Sequence, residues 1–193
     1  MTRRLQDLLT ASAERSPGST ALLLGDEVMT YAELAATTDR IARVLLDRGV
    51  RPGDRVGVLA AKAPWTIAAL IGTLKAGGVY VPVDSASPAP RVARIVRSAE
   101  PAVLLADATA TELIDGLVEE GVDDLVVGSL AEPLAGARFT SAFARDDIAA
   151  TDAAAPAVGA SAVRRLTAVS VATRTGGSGS ARTAGSESER GQS

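Results

Sequence analysis

The chain has neither cysteine nor histidine, and this double absence closes off more chemistry than any other feature of its sequence. It cannot supply a thiolate nucleophile, a Ser-His pair, an imidazole base or a zinc site of the usual kind. Lysine is scarce too, with only Lys62 and Lys75, both in the first half. Chemistry must therefore rest on carboxylates, hydroxyls and the backbone. Aromatic residues make up 3% of the chain, too few for base-stacking platforms, and a net charge of -3 gives no reason to expect a polyanion. Nucleic acid is not an expected ligand. The sequence has no apolar run of membrane-spanning length. Its N-terminal MTRRLQDLLTASAERSPG lacks the long apolar core and small-residue cleavage site of a signal peptide. The expectation is a cytoplasmic chain with no membrane partner.

What remains is ordinary for a globular protein: 193 residues, 47% hydrophobic and 22% charged, enough for one domain and a tail. RLQDLLTASAE places Leu5, Leu8, Leu9 and Ser12 at helical spacing. TALLL then reads as a strand, GDE as a tight turn and VMT as the return arm of a hairpin. Thr30-Tyr31-Ala32-Glu33 fits a capping box, so a helix should start there, burying Leu34, Thr38, Ile41 and Leu45 and ending at Gly49. Asp39, Arg40, Arg43, Asp47 and Arg48 should face water.

After an RPGD turn, RVGVLA is apolar enough for a strand buried on both faces, and Pro64 suits the first turn of the helix PWTIAALIGTLKAGG. Two glycines, Gly77 and Gly78, follow that helix and precede VYVPV. A phosphate loop needs the reverse order, from strand through glycines into a helix N-terminus, so that free amides meet the anion. This stretch reads instead as a helix end, with Lys75 favourably placed at the negative end of the helix dipole. Trp65 and Tyr80 read as packing residues, and Asp84 as a turn former before Pro88. The alternation continues with APRVARIVRSAE as helix, AVLLAD as strand, ATELIDGLVEEG as helix and DDLVVG as strand. Strands separated by helices imply an α/β fold with a parallel sheet and helices on its faces.

Near residue 146 the composition changes to a text rich in Ala, Ser, Gly, Thr and Arg, with one Leu and one Ile from Arg145 onward. Such a segment buries too little apolar area to offset its ordering entropy, so the expected division is a folded part, 1–148, and a disordered tail, 149–193.

Two pieces carry a family resemblance. MTYAELAATTDRIARVLLDRGVRPGDRVGVL, residues 29–59, resembles the first recurring block of adenylate-forming enzymes, and LKAGGVYVPVD, residues 74–84, resembles the second. The Tyr-Val-Pro-x-Asp ending and the following SPAPRVARIVRSAEPAVLLAD are most similar to the adenylation domain of a nonribosomal peptide synthetase. The resemblance implies the parallel-sheet, layered N-terminal subdomain of the adenylate-forming (acyl-CoA synthetase-like) fold, truncated. It also implies ATP, Mg²⁺ and a carboxylic acid, usually an amino acid, as reactants. The acyl-adenylate would pass to coenzyme A or to the phosphopantetheine arm of a carrier protein, with other synthetase modules as further partners.

The family's phosphate loop ends in Lys, and this and its later motifs match no position in 1–148. No catalytic, cofactor-binding or metal residue is therefore assigned, and the chain alone is expected to be inactive. TRTGGSGSARTAG, residues 173–185, lacks the lysine and reads as a flexible tail. A composition break where the loop is due is what an out-of-frame read of a GC-rich gene would produce. Two other readings stand beside it: a noncatalytic binding module related to adenylation domains, and an unrelated doubly wound domain binding a nucleotide at its strand ends. Cutting such a domain short should leave a sheet edge and an apolar face open, and hence marginal folding or aggregation.

Overall fold

The computed structural model describes residues 4–154. Helix α1 (Leu5–Arg15) leads into a hairpin of β1 (Thr20–Leu24) and β2 (Glu27–Thr30). Leu24 pairs with Glu27, so the turn is only Gly25-Asp26, one residue shorter than expected, with Gly25 at φ 57. Helix α2 (Tyr31–Asp47) follows, then β3 (Arg55–Leu59), α3 (Pro64–Lys75), β4 (Val79–Pro82), α4 (Ala89–Ala99), β5 (Val103–Ala106), α5 (Thr111–Glu119), β6 (Val127–Ser129) and α6 (Arg145–Ala150).

The last four strands form a parallel sheet in the order β4-β3-β5-β6. Strand β5 shows why both faces must be covered. Its Val103 and Leu105 enter one core with α2, α3 and α6, while Leu104 and Ala106 enter a second core with α4 and α5. The expectation of an open apolar sheet face is therefore corrected: helices cover both. Strand β4 is the edge, and Pro82, which has no amide to donate, is tolerated there. The other edge is partly covered, because Ala142 N donates to Val127 O at 2.7 Å and Ser129 N to Phe143 O at 2.8 Å.

The α2 capping box forms as its sequence requires. Thr30 N donates to Glu33 Oε2 at 2.8 Å, and Glu33 N donates to Thr30 Oγ1 at 3.3 Å. The four stripe residues are buried, but Asp39 and Arg40 do not simply face water. Asp39 pairs with Lys75, and Arg40 Nε donates to Thr151 O at 3.2 Å. That contact and α6 carry ordered structure across the boundary expected at 148/149. The rest of the expected tail, from 155 on and including TRTGGSGSARTAG, lies outside the described residues.

Two further expectations shift. Helix α1 buries Leu9 alone, with Gln6 and Ala13 half-buried beside it, while Leu5 and Leu8 stay exposed. Its inward stripe is rotated because it meets α2 and α3 at the periphery, where Gln6 Nε2 reaches Leu74 O at 3.4 Å. Strand β6 begins at Val127, since Asp123 and Asp124 are exposed in the lead-in.

Candidate functional site

In an open α/β sheet, ligands bind beyond the carboxyl ends of the strands, at the point where the strand order reverses. Here that point lies between β3 and β5, because the chain leaves β3 outward to β4 and returns past it to β5. Asp107 joins the two diverging loops. Its Oδ2 accepts from Ala61 N at 2.8 Å, and its Oδ1 accepts from Thr109 N at 2.9 Å and from Thr109 Oγ1 at 2.5 Å. Thr66 Oγ1 donates to Ala61 O at 2.6 Å, which fixes the same loop from the α3 side. Lys62, exposed in this loop, makes no ion pair among the described residues.

Two further polar groups of the rim are engaged by backbone. Asp84 Oδ1 accepts from Ala86 N at 3.0 Å, the turn role its sequence position suggested. Buried Ser129 donates to Glu132 O at 2.6 Å and accepts from Ala131 N at 3.1 Å. Among the described residues, no group of three or more carboxylates gathers as a metal site. Asp107, whose two oxygens already accept two backbone amides and a hydroxyl, does not fit a Mg²⁺-triphosphate group, and no step through one is assigned to it.

Gly77 and Gly78 are likewise committed. Gly77 N donates to Leu74 O at 3.1 Å and Gly78 N to Thr73 O at 2.9 Å, the paired bonds of a Schellman helix end, with Gly77 at φ 80. Both amides serve α3, so this stretch offers no anion cradle. The same glycines seat the RPGD turn: Gly53 N donates to Gly77 O at 2.9 Å and Val79 N to Asp54 O at 2.8 Å. A side chain at Gly78 would crowd the Asp54 carbonyl at 3.2 Å. The two sequence blocks thus grip each other.

Trp65 packs half-buried against the first core, and the Arg145 guanidinium lies 4.6 Å above its ring. Arg145 Nε also donates to Leu130 O at 2.9 Å, so this one side chain joins α3, the segment after β6 and α6. Tyr80 is half-buried on the edge strand. Sequence reasoning missed Asp107 and Arg145. Asp107 had a local signal, the Asp-x-Thr that follows an apolar run, whereas the Arg145 contact spans 80 residues and has none.

A family model described as AMP-binding enzyme matches residues 9–163. The malpinin synthetase of Mortierella alpina is 35% identical over 134 residues, 67% of this chain and 2% of that protein. A probable non-canonical nonribosomal peptide synthetase, CymA, of Salinispora arenicola (strain CNS-205) is 41% identical over 108 residues, 56% of this chain and 1% of that protein. Among solved structures, the nonribosomal peptide synthetase FmoA3 (S1046A) in its AMPPNP-bound form has a TM-score of 0.61 at 35% identity, over 78% of this chain and 14% of that one. The chain therefore spans a small fraction of each of these relatives.

Proposed function

The chain belongs to the AMP-binding enzyme family, and from that membership we propose that it is the N-terminal scaffold of an amino-acid-activating adenylation domain of nonribosomal peptide synthesis. In the complete domain an amino acid or other carboxylate attacks the α-phosphate of ATP with Mg²⁺ present, and pyrophosphate leaves. The acyl group then passes to a thiol, such as the phosphopantetheine arm of a carrier protein in a neighbouring module. This work belongs to secondary metabolism in the cytoplasm. The 193 residues alone do not catalyse it.

One observation supports the scaffold role above the others: the two family blocks are used up by packing on each other. Gly77 and Gly78 donate into α3, Asp54 and Gly53 lock onto that helix end, and Lys75 is paired with Asp39. Anion binding needs free donors at a helix start, and this region spends its donors at a helix end. ATP-pyrophosphate exchange over the twenty amino acids tests the reading, with no exchange above background expected. Amino-acid-dependent exchange by the purified chain would overturn it. Translating the gene in all three frames past codon 140 tests whether another frame supplies the strand and lysine-bearing loop expected there.

The noncatalytic-module reading has its own support, since the described part closes two cores with no buried side-chain polar atom left unpartnered among its residues. Binding of a purified carrier protein by a monodisperse chain that lacks exchange activity would favour it.

A further inference from the structure

We propose that the outward face of α4 docks an acidic protein partner, one presenting a helical row of carboxylates to Arg91, Arg94 and Arg97. The three arginines recur at every third residue of an 11-residue helix, APRVARIVRSA, that carries no acid at all. They cover about 9 Å of its length and an arc of about 120°. All three are exposed, while Val92, Ala93 and Val96 on the opposite side are buried.

This arrangement works against the helix that carries it. Arg91–Arg94 and Arg94–Arg97 are like-charge pairs at i,i+3, and Arg91 sits in the first turn, where the dipole disfavours a cation. The fold offers little relief. Among the described residues Arg91 and Arg94 have no carboxylate within ion-pair distance. Arg97 donates to the Glu120 carbonyl, and Glu100 at the end of α4 is paired with Arg55 at 3.5 Å. In a chain of net charge -3 the face is a local reversal of sign.

An acidic partner removes both penalties, which makes the face complementary to one. Guanidinium groups suit carboxylates through paired, charge-assisted hydrogen bonds. A membrane fits less well because the apolar residues of α4 are spent on the core, and nucleic acid fits less well because α4 has no aromatic to stack on bases.

The test measures fluorescence anisotropy of a labelled helical peptide with glutamates three and four residues apart, titrated with the whole chain at low and high salt. Salt-sensitive binding is expected, weakened at least about tenfold in R91E/R94E. That variant should instead bind the matching lysine peptide, which a merely misfolded protein would not do. The control R15E/R43E, on α1 and α2, should bind the glutamate peptide like the wild type. The proposal is overturned if the wild type does not bind the glutamate peptide, or if R91E/R94E binds it equally well. Tighter binding of phosphatidylserine vesicles or a DNA duplex than of the peptide would also overturn it.

Discussion

Lys75 Nζ lies 2.8 Å from Asp39 Oδ1, with only 10% and 17% of the two side chains exposed, and the pair fastens the end of α3 to the middle of α2. It adds to a tight packing of α3 on α2. A side chain at Gly72 would meet Ile41 at 2.8 Å, which leaves no room for a larger residue between them.

Removing one member of this pair strands the other in a poorly hydrated seam, so Lys75→Met should cost about 2 kcal/mol in urea denaturation. The double replacement D39L/K75M leaves no orphan charge and should recover most of that loss.

Gly77 holds φ 80, a conformation that disfavours any side chain, and a Cβ there would lie 3.3 Å from Pro52. Gly77→Ala should lower stability by about 1–2 kcal/mol. The measurement is again a denaturant midpoint.

Gly128 accommodates the Phe143 ring, since a Cβ at that position would overlap its Cζ. Gly128→Ala should cost about 1–3 kcal/mol, as overpacking does. Adding Phe143→Leu should restore part of it.

The Thr30 amide, and then the Thr30 hydroxyl, hold the Glu33 carboxyl below its ordinary value of 4.5. A carboxyl depressed in the folded state stabilises fully above its unfolded value, and that contribution fades as pH falls through the folded one. The difference in melting temperature between wild type and Glu33→Gln should therefore be largest near neutral pH and shrink on acidification. Thr30→Ala should cost about 1 kcal/mol.

Leu23 and Val28 face each other across the β1-β2 hairpin, 67% and 56% exposed, on a ribbon that pairs with no third strand among the described residues. Such a surface invites self-association. Light scattering after gel filtration should show the wild type associating with rising concentration, and L23K/V28T less so at an unchanged melting temperature. A wild type that stays monomeric at every concentration would contradict this.

Much of the molecule was legible because its signals are local. Thr30 and Glu33 are three residues apart, Pro64 and Gly77 bracket a single helix, and the apolar run of β5 is continuous. Proximity along the chain is enough to decide a cap, a helix end or a buried strand. The rotated stripe of α1 and the late start of β6 were not legible, because each depends on what the neighbouring elements leave uncovered.

By itself the sequence determined the alternation of strands and helices, the helix ends and the family likeness, and it ruled out thiol and imidazole chemistry for these residues. Only the tertiary structure decided that Asp39 meets Lys75, that Asp107 joins the loops after β3 and β5, that Arg145 lies over Trp65, and that Arg91 and Arg94 meet no carboxylate among the described residues. Such contacts join residues whose separation in sequence carries no periodic signal, and they exist only once the sheet order has set which helices share a face.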